Sequence, residues 1–127
     1  TIRTLQSGQT EVNGLTLSVL WHPRNTSGQF FTKQAIQVWG GMVNWRTATA
    51  YDATRALIVA LQRTPTRSGL QKTLRDPAFS APGASAPVQF LPSGDRKLQP
   101  GISILVQVRP SSNPKVGYEF VPLQSNP

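Results

Sequence analysis

Apolar and polar residues alternate at two places in the chain, and each alternation predicts a β-strand. Residues 14–21 carry leucine or valine at every second position, with threonine and serine between them, which is the period-two pattern of a half-buried strand. Residues 102–108 repeat the pattern with isoleucine and valine. Two shorter strands are predicted over residues 87–91 and 118–121, and residues 92–95 have the composition of a turn.

Helical spacing of apolar residues predicts three helices between the outer strands. The first covers residues 30–39 and ends at Gly40 and Gly41. A long helix follows over residues 45–63, with Asn44 as its N-cap and Pro65 behind it. Its predicted inward stripe comprises Ala50, Ala53, Leu57, Ala60 and Leu61, widened by Ile58 and Val59.

A third helix is predicted over residues 65–75, with Thr64 as its cap. The predicted order is therefore strand, helix, helix, helix, strand, strand, strand, which belongs to the α/β or α+β class. The first strand and helix could form one βα step of a parallel sheet. The long helix is apolar around more than half its circumference, so we expect the chain to pack against a partner outside these 127 residues.

Composition and charge limit the classes of function. The chain has 127 residues, the size of one domain, and no cysteine, which excludes a disulfide framework and a thiolate metal site. Its net charge is +8, from 13 basic and 5 acidic residues. The basic residues are scattered along the chain, and scatter of this kind favours a solvated surface over a nucleic-acid footprint.

The residues that could support catalysis are few. His22 is the single histidine, and no two of the five acidic residues share a local face. Asp52 is predicted to pair with Arg46 or Arg55 on its own helix. This composition disfavours an enzyme and predicts neither a cofactor nor a metal site.

The aromatic residues Trp39, Trp45 and Tyr51 surround the Gly40–Gly41 break and the first turns of the long helix. Aromatic side chains near such a break can line a ligand cleft, because they bury a large area at small entropic cost. The alternative is ordinary core packing. The sequence leaves both interpretations open.

Residues 43–57 read Val-Asn-Trp-Arg-Thr-Ala-Thr-Ala-Tyr-Asp-Ala-Thr-Arg-Ala-Leu, and this stretch resembles periplasmic solute-binding proteins of the leucine/isoleucine/valine receptor type. These are type I periplasmic binding proteins of the ABC transporter substrate-binding family. The order of the neighbouring segments is also similar, so that the resemblance covers residues 14–123. Family members run roughly three times the length of this chain, in keeping with the sizes of domains.

The resemblance implies an α/β fold, in the form of an incomplete portion of a two-lobed type I periplasmic-binding-protein fold. Residues 14–123 would be the C-terminal portion of a solute-binding domain and would span pieces of both lobes, with a crossover near residues 40–45. Residues 1–13 would be an arm or the remnant of a lost element, and residues 124–127 a tail. A chain that begins with Thr1 is expected to be processed, truncated or a fragment.

The resemblance also implies a function. The chain would belong to the extracytoplasmic solute-binding component of a bacterial ABC-type importer, or to a related sensor, and would bind an amino acid or similar small polar solute by lobe closure. The expected partners are the solute, a membrane ABC permease, and the missing N-terminal half or another copy of the chain. The alternative is a basic nucleic-acid-binding module, and a weaker one is an enzyme domain.

The ligand-binding residues implied by the resemblance are Trp45, Arg46 and Tyr51. In the family an aromatic residue about five positions before the motif tyrosine lines the cleft, and Arg46 holds that position here, beside Trp45. This departure argues against an aliphatic amino acid as the ligand. The guanidinium could instead bind a carboxylate through two hydrogen bonds, while Tyr51 would support the crossover.

Overall fold

A computed structural model describes residues 2–100 and 102–123. The described part contains five helical segments and three strands. In chain order these are α1 (Ile2–Gly8), a 3₁₀ helix (Gln9–Val12), β1 (Thr16–Val19), α2 (Thr26–Trp39), α3 (Trp45–Arg63), α4 (Arg67–Leu74), β2 (Ile104–Pro110) and β3 (Tyr118–Pro122). The predicted tail at residues 124–127 lies outside the described residues.

The three strands form one antiparallel sheet in the order β1–β2–β3. The strands predicted over residues 14–21, 102–108 and 118–121 are therefore confirmed, with shifted ends. The predicted parallel βα step is wrong, because β1 pairs in antiparallel register with β2, for example Leu17 with Val106. The central strand β2 is paired with a neighbouring strand on each edge. Its alternate residues Val106 and Val108 are fully buried.

Helix α3 has the bounds that the sequence predicts. The side chain of Asn44 caps it, since Oδ1 accepts a 2.9 Å hydrogen bond from the backbone N–H of Arg46. Gly40 ends α2 in the left-handed conformation, with φ of 66° and its N–H donated to the carbonyl of Ile36. Helix α2 begins earlier than predicted, at Thr26.

The buried face of α3 differs from the predicted one. The inward positions are Ala48, Asp52, Ala56 and Ala60, spaced four residues apart. Of the predicted stripe only Ala60 is buried, while Ala50 and Ala53 are exposed and the larger aliphatic residues are 40–45% exposed (Leu57, Ile58, Leu61). The alanine face is the buried one because its small side chains allow segment 79–88 to approach the helix closely.

Helix α4 is shorter than predicted, and its cap is a different threonine. Thr66 is the N-cap, since its Oγ1 accepts a 3.1 Å hydrogen bond from the N–H of Gly69. Thr64, the predicted cap, instead ends α3 by donating its N–H to the carbonyl of Ala60. Pro65 separates these two ends, so the chain turns between the helices.

No strand forms at residues 87–91, and that prediction is wrong. The segment makes two isolated bridges, Ala81 with Val88 and Phe90 with Arg96. Pro87 and Pro92 flank it and lack the N–H donors that a longer ladder needs. The predicted turn is confirmed, with Gly94 at φ of 95°.

One hydrophobic cluster lies at each end of the buried face of α3. One contains Trp21, Phe31, Ala35, Ala48 and Ala84, and the other contains Ala56, Ala60, Phe79, Ala81 and Val88. Residues 1–13, for which the sequence shows little pattern, contain α1, and Leu5 of that helix is buried. None of the helices in the described ranges has the length and apolar character to cross a bilayer.

Candidate functional site

A cavity of about 290 Å³ lies beside the start of α3, and we call it the Trp45 cavity. Four chain segments line it: α1 through Ile2 and Leu5, the β1–α2 loop at residues 22–24, the connection at residues 42–45, and residues 111–120. It therefore forms only when α1, the β1–α2 loop, the α2–α3 connection and residues 111–120 come together.

Two aromatic rings form part of the wall of the Trp45 cavity. Trp45 and Phe120 meet edge to face, with ring centroids 4.8 Å apart and planes at 86°. This is a favourable geometry for aromatic pairs. Trp45 also packs against the cluster around Trp21. The cavity wall thus continues into the core, which restricts the movement of the indole.

His22 is the buried polar residue of this cavity, with 5% of its surface exposed. Its Nε2 lies 3.1 Å from the carbonyl oxygen of Phe120, and its Nδ1 accepts a 3.2 Å hydrogen bond from the backbone N–H of Arg24. One nitrogen accepts and the other faces an acceptor, so the arrangement selects the neutral tautomer protonated at Nε2. Both ring nitrogens are therefore engaged within the protein.

The surroundings of His22 lower its pKa below the ordinary value of 6.5. Burial is the main cause, because it removes water from the charged form. The hydrogen bond to the carbonyl of Phe120 opposes this effect. Arg24 lowers the pKa further by charge repulsion, and Glu119 raises it. The net result favours a neutral imidazole at neutral pH.

Arg24 and Glu119 form an ion pair at the edge of the cavity. Their side chains are 55% and 38% exposed, so solvent screens the attraction, and the pair contributes little to stability. It does balance the charge at the cavity edge. With these two groups paired and His22 neutral, the remaining lining is mainly apolar and suits an uncharged, apolar part of a ligand.

Tyr51 lies in a second cavity of about 300 Å³ on α2 and α3. Its ring is 4.8 Å from that of Phe31, and the ring of Trp39 lies 6.4 Å from Phe31 on the same cavity. The three aromatic residues that the sequence groups together are therefore divided. Trp39 and Tyr51 share this second cavity, and Trp45 lines the first.

Arg46 lines neither of these two cavities. Its side chain is exposed on the first turn of α3. Its backbone N–H is the donor to the Asn44 cap. The assignment of Trp45, Arg46 and Tyr51 to one ligand site stays a prediction, and the structure puts these side chains in three different surroundings.

Asp52 is held by a residue far along the chain, and the predicted pairing within α3 is wrong. Its Oδ2 lies 2.7 Å from Nη1 of Arg96, and its Oδ1 accepts a 2.6 Å hydrogen bond from the N–H of Ala84. The reason is the direction of the helix face, since Asp52 lies on the buried alanine side. The carboxylate therefore fastens segment 84–96 to α3.

His22 and Phe120 are the residues of the Trp45 cavity that sequence reasoning missed. They lie 98 positions apart, and no local pattern brings them together. The signal present in the sequence was the single histidine directly before a proline. Among residues 2–100 and 102–123, no group of three histidine, cysteine or acidic side chains could hold a metal ion.

No protein-family model and no curated protein sequence matches this chain. Solved structures do match it in three dimensions. The crystal structure of the leucine-binding protein LivK from Thermotoga maritima superposes with a TM-score of 0.64 at 19% identity, over 98% of this chain and 35% of that protein. A periplasmic binding protein from Burkholderia mallei gives 0.66 at 16% identity, over 94% and 32%.

The chain therefore has the α/β fold of part of a two-lobed type I periplasmic binding protein. It spans about a third of the length of the two solved proteins. At these identities the likeness establishes the fold and leaves the function to be argued from the site.

Proposed function

We propose that this chain is part of an extracytoplasmic solute-binding protein and that its Trp45 cavity receives a portion of a small solute. The observation that carries the proposal is an apolar cavity with an aromatic wall, lined by the α2–α3 connection, in a chain with this fold. Binding sites for small molecules are concave and mainly apolar, with a few oriented polar groups. The Trp45 cavity has this character.

The state of His22 favours binding over catalysis at this cavity. A general base needs a ring nitrogen within reach of a substrate proton. Both nitrogens of His22 are committed to backbone partners instead. The ring is thus suited to shaping the wall of a binding site.

The proposed mechanism is closure of two lobes on the solute, which shifts a population of open and closed forms without chemistry. We propose an amino acid or a similar small solute, whose apolar part enters beside Trp45. Arg46 is proposed to bind a carboxylate of the solute. Its exposed position outside the cavity suits a group that projects away from the apolar part.

The exposed aliphatic side of α3 supports a further partner. Leu57, Ile58 and Leu61 are 40–45% exposed along one helix, and the solved proteins of this fold are about three times as long as the chain. We propose that the complementary portion of such a fold covers this side, from the same polypeptide or from another copy. A membrane permease of the ABC type is the proposed partner of the assembled protein.

The proposal is tested by titrating the chain with leucine, phenylalanine and glutamate while ¹⁵N NMR follows the tryptophan indole groups. At least one solute should shift the Trp45 signal in a saturable manner. Trp45→Ala should weaken binding at least about tenfold, the equivalent of 1.4 kcal/mol. Trp39→Ala, in the second cavity, is the matched control and should leave the affinity unchanged.

Arg46→Ala separates the two parts of the proposal. If Arg46 makes a charge-assisted bond to a solute carboxylate, its loss should cost about 1.5–3 kcal/mol of binding free energy. The melting temperature of the unliganded protein should stay the same, because the side chain is exposed. Intact affinity with a lower melting temperature would remove Arg46 from the site. Equal binding by wild type and Trp45→Ala would refute the cavity assignment itself.

A further inference from the structure

His22 joins two parts of the Trp45 cavity that no local structure connects. It lies on the β1–α2 loop, while the carbonyl group it contacts belongs to Phe120 of β3, 98 residues later. On the other side of the ring, Nδ1 accepts the N–H of Arg24. The imidazole therefore bridges the loop and the strand through one donor and one acceptor.

The ring of Phe120 is the direct neighbour of Trp45 in the cavity wall, at 4.8 Å between centroids. The hydrogen bond from His22 thus acts on the backbone of the same residue whose side chain supports the indole. Loss of that bond would remove the side-chain contact that holds Phe120 in addition to its pairing with Val108 of β2. The spacing of the aromatic pair depends on this strand position.

We propose that His22 is a positioning residue of the Trp45 cavity, which holds Phe120 against Trp45 only while its imidazole is neutral. The dependence comes from the acceptor role of Nδ1, which only the neutral ring can fill. A protonated imidazole carries N–H groups on both nitrogens, so its Nδ1–H would face the N–H of Arg24. The two donors repel, and the ring must turn or move away. Its significance for solute binding rests on the proposed function.

The charged groups around the ring act on its pKa in opposite directions. Arg24 from the β1–α2 loop opposes a positive charge, and Glu119 from β3 favours one. The residues that α1 contributes to the cavity are Ile2 and Leu5, which are apolar, and residues 42–45 carry no titratable side chain. Tyr118 of β3 adds a phenol to the lining. Burial dominates and lowers the pKa of His22.

The sign of the pH dependence follows from that direction. The neutral ring is favoured in the folded protein relative to the unfolded chain, where the pKa is about 6.5. The stabilising contribution is complete above pH 6.5 and is lost as the pH falls through the lower folded pKa. We therefore expect the contact between Phe120 and Trp45 to loosen in mildly acidic solution.

The single histidine makes the experiment direct, because one imidazole signal in a ¹H–¹³C NMR titration belongs to His22. We expect the Nε2–H tautomer at neutral pH and a midpoint below 6.5. The indole signal of Trp45, assigned by its loss in Trp45→Phe, should shift along the same curve. No solute is present, so this experiment can fail while the proposed function survives, and the reverse also holds.

Two variants separate positioning from simple packing. His22→Gln retains an amide donor in place of Nε2 and cannot titrate, so its Trp45 signal should stay near the neutral-pH position across the acid range. His22→Ala should give the acid-form signal at every pH. A His22 midpoint at or above 6.5, a Trp45 signal that ignores the midpoint, or the same pH shift in His22→Gln would overturn the proposal. The wild-type titration decides the matter even if His22→Ala fails to fold.

Discussion

Replacement of Asp52 by alanine should be among the most destabilising single changes on α3. The carboxylate is 6% exposed and its partner Arg96 is 17% exposed, with 2.7 Å between Oδ2 and Nη1. The same carboxylate accepts the N–H of Ala84 at 2.6 Å. Without it, a largely buried guanidinium and a buried backbone donor both lose their acceptor. The Nε and Nη2 atoms of Arg96 are buried without hydrogen-bond partners, so the guanidinium depends on Asp52.

The expected loss of unfolding free energy follows from the two donors that Asp52→Ala leaves without an acceptor. Removal of one member of a buried ion pair costs about 3–5 kcal/mol, because the remaining charge is left uncompensated. The unpaired N–H of Ala84 adds to this cost, whereas the better helix propensity of alanine offsets up to about 0.7 kcal/mol. The partial exposure of Arg96 admits some water to its guanidinium. We therefore expect Asp52→Ala to lower the free energy of unfolding by about 3–4 kcal/mol.

Urea unfolding followed by far-ultraviolet circular dichroism measures the change, with all variants compared at one protein concentration. Glu11→Ala, an exposed acidic residue, is the matched control and should change stability by less than about 0.5 kcal/mol. Asp52→Ala combined with Arg96→Met should lose less than the sum of the two single variants, by at least about 1 kcal/mol. Additive losses, or a cost below about 1 kcal/mol for Asp52→Ala, would refute the reasoning.

Two further predictions concern the packing of α2 and the charge of the chain. A Cβ at Gly28 would lie 2.5 Å from the carbonyl oxygen of His22 and 2.8 Å from Nε1 of Trp21. Gly28→Ala should therefore lower the unfolding free energy by about 1–2 kcal/mol in the same urea assay. Gly41→Ala is the control and should leave the unfolding free energy unchanged, because the nearest atom to its Cβ would be 3.9 Å away. In filter binding at physiological salt, the +8 chain should retain DNA only weakly; sub-micromolar binding that strengthens at low salt would favour a nucleic-acid role.

The elements that the sequence predicts correctly are those with local signals. Asn44 and Pro65 bracket α3, and the cap bond from Asn44 confirms its start. Gly40 ends α2 because its left-handed conformation suits glycine. In each case the deciding interaction lies within a few residues of the signal. Bounds of this kind need no knowledge of the rest of the fold.

The incorrect predictions concern which side chains of α3 are buried and which residues they contact. Hydrophobicity selects Leu57 and Leu61 as inward residues, but the structure buries Ala48 and Ala56 beside the correctly predicted Ala60. Close approach of segment 79–88 requires small side chains, and a scale of hydrophobicity does not express that requirement. Asp52 joins the buried face because Arg96 and the N–H of Ala84 satisfy it. Neither partner is visible from the helix itself.

Trp45 and Arg46 are neighbours in sequence, yet one lines a cavity and the other faces water. Consecutive residues of an α-helix point about 100° apart, so these two side chains cannot face the same surface. Trp45 lines the cavity and packs against Phe120, whereas Arg46 lies in solvent at the helix N-terminus, where the local dipole disfavours a positive charge. Exposure screens that penalty, so the arginine needs no buried partner for stability. Any role of Arg46 in recognition must therefore come from a group that approaches from outside the cavity, which is the side from which a closing lobe or a solute carboxylate would arrive.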